Sequence, residues 1–456
     1  MSQRHSDARL GTEPIWRLIL QMGIPGLVAQ LINLLYNLVD RMYIGHIPEV
    51  GQLALTGVGL TLPALQIISA FSALVGNGGA PLAAIALGQG DRKRAERILG
   101  GGFVTLLTFS AALTVFFLAI RKPFLYMVGA SDATYPYAND YIVIYLLGTV
   151  FVQLTLGLNP FITCQGRSRI AMLSIIIGAA INIALDPLFI FAFDMGVRGA
   201  ALATVISQAA SAVWIVSFLC RKDTSLRIRR DRMKPDLRII LGVFALGVSP
   251  FIMNSTESLI SIVLSSGLSR YGGDLYVGSL TILQSVMQLI AIPMSGFTSG
   301  VAPIMSYNFG AGNPGRVKGT FIRLFAIGVS YSALIALSAM LFPEAFAKLF
   351  TSNADLIALV GRVLPIFIAG MLIFGVQNVC QSAFMSLGQA KRSLLIALLR
   401  KVVLLAPLAA ILPAITGNVM SIDWAEPISD CLSATTCLIV FVLFVKAGGF
   451  VVKKQG

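Results

Sequence analysis

The feature that most constrains this chain is a succession of long apolar segments that carry almost no charge. The segment 99–120 contains no charged side chain before Arg121, and the segments 170–185 and 321–341 carry at most one, near an end. Each approaches the roughly 20 residues that an α-helix needs to cross the hydrocarbon core of a bilayer. Backbone polar groups in lipid must be satisfied within the segment, so these segments are predicted to be helices. A membrane β-barrel would instead show short segments of alternating polarity.

Composition agrees with a lipid environment. Only 12% of the 456 residues are charged and 56% are hydrophobic, whereas about a quarter of a soluble domain is charged. The predicted fold class is an all-α polytopic membrane protein with about twelve transmembrane helices. The predicted helices span 15–45, 52–87, 97–120, 137–163, 169–193, 197–219, 239–266, 274–305, 318–341, 356–385, 392–415 and 424–446.

The basic residues that give the chain its net charge of +14 fall mainly in every second loop. The positive-inside rule places those loops in the cytoplasm. Twelve helices then put both termini there, in a multi-pass protein of a prokaryotic plasma membrane. This placement disfavours nucleic acid as a partner. The basic loops contain Arg92, Lys93, Arg94, Arg97, Arg167, Arg169, the segment 221–238, Arg316, Lys318, Lys391, Arg392, Lys453 and Lys454.

An internal repeat divides the chain into two halves of the same orientation. Three pairs of motif residues share one identical spacing along the sequence: Pro81 and Pro303, Gly88 and Gly310, and Gly166 and Gly388. We therefore predict two six-helix lobes, 1–220 and 239–456, joined by a basic cytoplasmic linker, 221–238. A parallel repeat is related by an axis along the membrane normal, and two such lobes suit transport by alternating access.

Ionisable residues inside membrane helices are candidate functional residues. Asn33, Asn37 and Asp40 share one face of the first helix, and Asn182 and Asp186 share a face of the fifth, just before Pro187. Both carboxylates fall toward the outer ends of their helices, so we expect one pocket in the first lobe. Two carboxylates close together in a low dielectric would not both stay ionised. An alternative is that Asp40 is an interfacial residue paired with Arg41.

The second lobe offers weaker candidates. Asn254 and Glu257 lie three residues apart on the seventh helix, either as a cation site or as structural hydrogen-bonding groups. Amides and methionine on the eighth and tenth helices would either line a substrate cleft or bond helices together. The substrate-cleft candidates are Asn33, Asn37, Gln284, Met287, Gln288 and Gln377.

Four further charged residues are expected near the membrane surfaces. Arg400 and Lys401 are predicted to extend their side chains to the cytoplasmic surface. Glu426 and Asp430 begin the last helix and are predicted to be interfacial. The five cysteines show no paired spacing, so no disulfide or metal framework is predicted.

The chain resembles the multidrug and toxin extrusion (MATE) family over nearly its whole length. The resemblance rests on motifs in the family's order: Gly23-Ile-Pro25, the stretch 38–45, Gly88-Gln-Gly-Asp91, Gln165-Gly166, the stretch 182–187 and the stretch 196–204.

This resemblance implies secondary active efflux of small amphipathic, often cationic compounds, driven by H⁺ or Na⁺, without another cofactor or enzymatic activity. It implies a first-lobe cation pocket of Asp40, Asn182, Asp186 and Thr204, with Tyr141 as its aromatic member and H⁺ or Na⁺ as the bound ion. Glu257 matches an acidic position of another branch, which also has an acid on the tenth helix, where this chain has Gln377 and Asn378.

Other functions stay open. A lipid-linked oligosaccharide flippase of the same wider superfamily would need a basic cleft, and the lipid-depth segments contain few basic residues. An exporter of an endogenous metabolite fits the same sequence. We expect membrane lipid as the surroundings and a functional monomer.

Overall fold

A computed structural model describes residues 9–222, 224–234, 236–272, 274–416 and 420–451. Within these ranges every long element is helical, which confirms the all-α fold class. The helices of the first half are α1 (Ile15–Gly45), α2 (Gly51–Gly88), α3 (Arg92–Met127), α4 (Tyr135–Leu147 and Thr149–Thr163), α5 (Ser168–Ala192) and α6 (Gly196–Cys220).

The second half repeats this order. Its helices are α7 (Leu237–Gly272), α8 (Asp274–Gly310), α9 (Pro314–Leu341), α10 (Ala354–Phe367, Ala369–Leu372 and Phe374–Ser386), α11 (Ala390–Leu398, Leu399–Leu405 and Ala406–Thr416) and α12 (Met420–Lys446).

Ten of the described helices are long and apolar enough to cross a membrane. The two parts of α4 meet at an angle of 60° and make an eleventh span if they cross together. The twelfth predicted helix, α10, is divided into three shorter segments at Ile368 and Ile373. The predicted helices are therefore present, and the breaks in α4 and α10 are the main differences from the prediction.

The repeat is visible in the backbone conformation of the turns. Gly90 and Gly312, which share the spacing of the repeated motifs, have φ angles of +78° and +72°. Gly166 and Gly388, at the same spacing, have φ angles of +76° and +68°. Positive φ is costly for residues with a Cβ, so these turns favour glycine. The two halves thus use the same turns after α2 and α8 and after α4 and α10.

Contacts divide the chain into two compact units. The first contains Met1–Thr12 and Val28–Asn254, and the second contains Glu13–Leu27 and Ser255–Gly456. The beginning of α1 therefore belongs to the second unit, and the beginning of α7 belongs to the first. The predicted lobe boundaries, by contrast, lie at the ends of the linker.

Glycines let these exchanged helix segments pack closely in each unit. In the first unit, a Cβ at Gly78 of α2 would overlap the carbonyl oxygen of Val243 in α7. In the second unit, a Cβ at Gly300 of α8 would overlap the carbonyl oxygen of Met22 in α1. Gly78 and Gly300 again share the spacing of the repeat, so both units use the same small-residue packing that membrane helices favour.

The basic linker is folded against the first unit. The side chain of Gln165 accepts a hydrogen bond from the Leu226 backbone N–H at 3.0 Å, and Arg92 donates to the Thr224 carbonyl at 2.6 Å. The Arg227 guanidinium of the linker lies 4.0 Å from the buried Glu96 carboxylate of α3. These contacts join the linker to the ends of α3 and α4 that are cytoplasmic in the predicted topology.

Candidate functional site

The first unit contains two buried carboxyl groups that face each other. Asp40 of α1 is 9% exposed, and Asp186 of α5 is fully buried. The two side chains lie in hydrogen-bond contact. Asn182 donates from Nδ2 to Asp186 Oδ1 at 3.2 Å. The four-residue spacing that suggested a shared face thus corresponds to a direct side-chain contact.

The irregular end of α5 follows directly from Pro187. Proline has no N–H to donate and crowds the preceding turn. The α-helix ends at Pro187 and continues as a π-helical segment, Leu188–Ala192. Such segments are rare in proteins and often occur at functional sites. Gly199 of α6 approaches the backbone of Phe189 closely. A Cβ added to Gly199 would lie 2.7 Å from the Phe189 carbonyl group.

Two further helices complete the surroundings of the carboxyl groups. Tyr141 of α4 is 4% exposed, lies beside Thr204 of α6 and is within electrostatic range of Asp40. Tyr141 also stacks on Tyr145, with ring centroids 6.1 Å apart. Tyr36, one turn before Asp40, interacts electrostatically with the same carboxyl group. Tyr36 and Tyr145 are absent from the sequence prediction, although each has the four-residue spacing to a predicted residue that would have indicated it.

The site has more oxygen acceptors than donors. Within the described part of the chain, Asp40 Oδ1, Asn182 Oδ1 and Asp186 Oδ2 are buried and have no hydrogen-bond partner. An ionised carboxylate accepts hydrogen bonds and cannot donate one, so two carboxyl groups in contact require a shared proton or a bound cation. Oxygen donors suit hard cations. The residues of this site therefore fit H⁺ or Na⁺.

Other predicted residues do not join this site. Asn37 is exposed and donates to the Asn33 carbonyl at 2.7 Å within α1. Asn254 is exposed on α7. Glu257 lies on the same helix, and its side chain is outside the part that the structure describes. The role of Glu257 in a second-lobe cation site stays a prediction.

The predicted substrate-cleft residues of the second unit lie in different surroundings. Gln284 and Met287 on α8 are half-buried, and Gln288 is exposed. Gln377 on α10 is buried, and its side-chain oxygen accepts a hydrogen bond from Ser433 of α12 at 3.0 Å. This contact joins two helices, which is one of the two roles expected for the amides. The substrate role of these residues stays a prediction.

The predicted surface location of four charged residues is wrong. Arg400, Lys401, Glu426 and Asp430 are between 2% and 6% exposed, inside the second unit. Arg400 donates to Asp430 at 2.7 Å and lies 3.8 Å from Glu426. Both acidic partners lie on the next helix, α12, so the local pattern around Arg400 did not reveal the pairing.

These features define a class of protein. It is a polytopic helical membrane protein of two repeated halves, with carboxylates buried at membrane depth. The MatE family model matches residues 25–188 and, a second time, residues 250–411. The two matches fall on the two repeats and together cover more than half of the sequence. The chain belongs to the MatE family.

Similar proteins agree with this assignment. The chain is 23% identical over 431 residues to the multidrug export protein MepA of Staphylococcus aureus strain MSSA476, covering 94% of both chains. It is 24% identical over 422 residues to the MepA of Staphylococcus haemolyticus strain JCSC1435, covering 92% of both.

Solved structures show the same fold. A MATE protein crystallised in complex with MaL6 superposes with a TM-score of 0.89 at 21% identity, covering 97% of this chain and 98% of that one. A MOP superfamily transporter from Pyrococcus furiosus superposes with a TM-score of 0.88 at 22% identity, with the same coverage.

Proposed function

We propose that this protein is a secondary active exporter of small amphipathic or cationic compounds in the plasma membrane of a prokaryote. It exchanges these compounds for H⁺ or Na⁺ by alternating access, with both termini in the cytoplasm. Two relatives that match over more than nine-tenths of their length are named multidrug export proteins. The parallel repeat supports the same mechanism because two similarly oriented halves suit alternating access.

The observation that carries the proposal is the contact between Asp40 and Asp186. A carboxylate buried away from water is costly unless it is paired or neutralised. The two carboxyl groups also have acceptor atoms that no protein donor fills. A cation bound at this site would neutralise the buried negative charge in one state of the transport cycle. Its departure would leave the carboxyl groups charged in the other state.

The coupling mechanism follows from the position of Asp186 beside the π-helical end of α5. Binding of H⁺ or Na⁺ changes the charge and hydrogen bonding of Asp186, Asn182 and Asp40. That change biases the packing of α5 against α6, where Gly199 contacts the π-helical segment. The bound ion and the exported drug then favour different packings of α5 against α6. Each ligand therefore weakens the binding of the other. Thr204 and Tyr141 orient the site from α6 and α4.

The test is gradient-driven transport by purified protein in proteoliposomes. Efflux of a fluorescent lipophilic cation is measured under an imposed pH gradient or Na⁺ gradient, applied separately. Asp40→Asn and Asp186→Asn preserve side-chain shape and remove the titration. We expect each variant to lose gradient-driven transport while its yield and monodispersity stay unchanged.

A matched control is Asp132→Asn, which makes the same chemical change at an exposed loop residue. It should transport at the wild-type rate. If Asp40→Asn and Asp186→Asn both transport at that rate as well, the site is structural and Glu257 becomes the leading coupling residue. If the wild type responds only to one of the two gradients, that gradient identifies the coupling ion.

A further inference from the structure

The first unit contains a basic pocket that the proposed function does not use. The pocket has a volume of about 490 Å³ and lies between the start of α3 and the linker, 221–238. This volume is in the range of small-molecule binding sites. Six of the side chains that line the pocket are basic: Arg92, Lys93, Lys222, Arg227, Arg229 and Arg232. We refer to the cavity lined by these residues as the linker pocket.

The linker pocket keeps a positive charge after every nearby acid is counted. Two acids, Asp91 and Glu96, also line it. The two segments that form its walls, 90–97 and 221–238, contain twelve basic and five acidic residues. That count includes Asp223, whose placement lies outside the described residues. Basic residues therefore exceed acidic ones whichever ion pairs form, and the pocket attracts anions.

Both acids of the pocket are already engaged by protein groups. Asp91 is the N-cap of α3 and accepts a hydrogen bond from the Arg94 backbone N–H at 2.9 Å. The Glu96 carboxylate is buried and lies 3.5 Å from the Arg92 guanidinium and 4.0 Å from the Arg227 guanidinium. Glu96 is therefore offset within the wall and does not cancel the charge of the other basic side chains.

Two arginines of the linker pocket have buried donor atoms without a protein acceptor. Within the described part of the chain, Nε of Arg227 and Nε of Arg232 are buried and have no hydrogen-bond partner. Arg232 Nε lies 3.2 Å from Asp231 Oδ2 but outside hydrogen-bond geometry. A guanidinium stays charged and cannot give up a proton. A buried donor without an acceptor is costly, so an anion with several oxygen atoms would stabilise this pocket.

The linker is held in place by the helices that it contacts. The side chain of Gln165 in α4 accepts a hydrogen bond from the Leu226 backbone N–H at 3.0 Å. A Cβ added to Gly100 of α3 would lie 2.5 Å from the Arg232 carbonyl oxygen, so α3 and the linker pack backbone to backbone. The walls of the pocket are therefore formed before a ligand binds, which reduces the ordering cost of binding.

The donor set and its position favour one kind of anion. A planar guanidinium donates to two phosphate oxygens at once, so arginines are the usual partners of phosphate groups. The start of α3 and the end of α6 meet the cytoplasmic membrane surface in the predicted topology. Basic pockets at that level bind the headgroups of anionic lipids.

We propose that the linker pocket binds a phosphate group, supplied either by the headgroup of an anionic phospholipid or by a soluble phosphate. Arg227 and Arg232 donate to the phosphate oxygens. Lys93 and Arg229 add positive charge at the sides of the pocket.

The test is native mass spectrometry of the full chain, purified in detergent and freed of copurified lipid. Phosphatidylglycerol is titrated as the anionic lipid, phosphatidylethanolamine as the neutral comparison and inorganic pyrophosphate as the soluble probe. We expect tighter binding of phosphatidylglycerol or pyrophosphate than of phosphatidylethanolamine. Binding of the anionic lipid alone identifies a headgroup site, and displacement of that lipid by pyrophosphate identifies a site for soluble phosphate as well. The readout is binding, so it does not depend on transport.

Substitutions in the pocket should weaken this binding. Arg227→Gln and Arg232→Gln should each raise the apparent Kd by roughly tenfold, because each removes a charge-assisted hydrogen bond. Lys93 is exposed. Lys93→Gln should raise the apparent Kd by roughly two- to fivefold and tests the pocket without disturbing a buried residue. Monodispersity on gel filtration is checked for every variant.

The matched control is Arg230→Gln. It removes the same charge from the same turn, Arg230–Arg232, but Arg230 is exposed and does not line the pocket. Its apparent Kd should equal that of the wild type. Equal weakening by Arg230→Gln and Arg232→Gln would show general attraction by basic residues and would overturn the proposal. Wild-type binding in all three pocket variants would also overturn it, as would a wild type that prefers neither anionic probe over phosphatidylethanolamine.

Discussion

Replacing Arg400 by Gln should destabilise the second unit strongly. The substitution leaves the buried Asp430 and Glu426 without their arginine partner. Removing one partner of a buried ion pair costs about 3–5 kcal/mol. For a unit of about 200 residues, each kcal/mol shifts the melting temperature by roughly 2–4 °C. We therefore expect the apparent unfolding midpoint to fall by roughly 6–20 °C.

Asp430→Asn should cost less than Arg400→Gln, because Arg400 then keeps Glu426 as an acidic partner, whereas Arg400→Gln leaves both acids without the arginine. The double variant, Arg400→Gln with Asp430→Asn, should be more stable than Arg400→Gln alone. This asymmetry between the two partners distinguishes a charge-balance effect from a simple packing defect.

The chain contains its own reporters of unfolding. Cys380 and Cys437 are buried in the second unit, whereas Cys220 and Cys431 are exposed. With Cys164 of the first unit and the two exposed cysteines changed to serine, a thiol-reactive dye becomes fluorescent as Cys380 and Cys437 are released on heating. Asp132→Asn is the control for a surface charge change. An Arg400→Gln midpoint equal to that of the control would refute the reasoning.

Three further predictions concern topology, substrate range and packing. Single cysteines placed at Arg227 and Asp132 should be labelled from the cytoplasmic and external sides, respectively; labelling of both from one side contradicts the twelve-helix topology. Changing Gln284 and Gln288 to Trp together should alter the set of exported compounds, as measured by growth inhibition across a drug panel; an unchanged panel would place the substrate elsewhere. Gly300→Val should sharply reduce the yield of folded protein on gel filtration, because the larger side chain meets backbone; a wild-type yield would contradict the close approach of α1 and α8.

Much of the fold could be predicted because the bilayer imposes simple rules. Segments without charge must be helices, and their lengths follow from membrane thickness. The first-unit site was also predictable in part. Asn182 and Asp186 are one turn apart on one helix, so their contact required no knowledge of distant residues. Their contact with Asp40 was inferred from topology, which placed both carboxylates toward the same membrane side.

The buried pairing of Arg400 with Asp430 and Glu426 was not predictable by the same reasoning. Arg400 and Lys401 follow an apolar stretch that begins near the basic Lys391 and Arg392, so extension toward the cytoplasmic surface was the simpler interpretation. The acidic partners of Arg400 lie in the following helix, which no local pattern reveals.

The breaks in α10 were hidden for a different reason. They lie close to Pro365 and Gly370, and both residue types are also found inside membrane helices that stay continuous. Pro81, for example, lies within an unbroken part of α2. The sequence therefore contained a signal for the break but no means of distinguishing it from a tolerated proline.

The two compact units have a consequence for the assembly of the chain. Each half contributes the first part of its first helix to the packing of the other, an arrangement equivalent to a domain swap within one polypeptide. Neither half, produced alone, would contain the segment that covers Gly78 or Gly300. Each would expose a stripe of backbone on α2 or α8, where a copy of the same half could bind in exchange. During synthesis the first half must therefore wait for α7 before its packing is complete, and α1 must wait for α8.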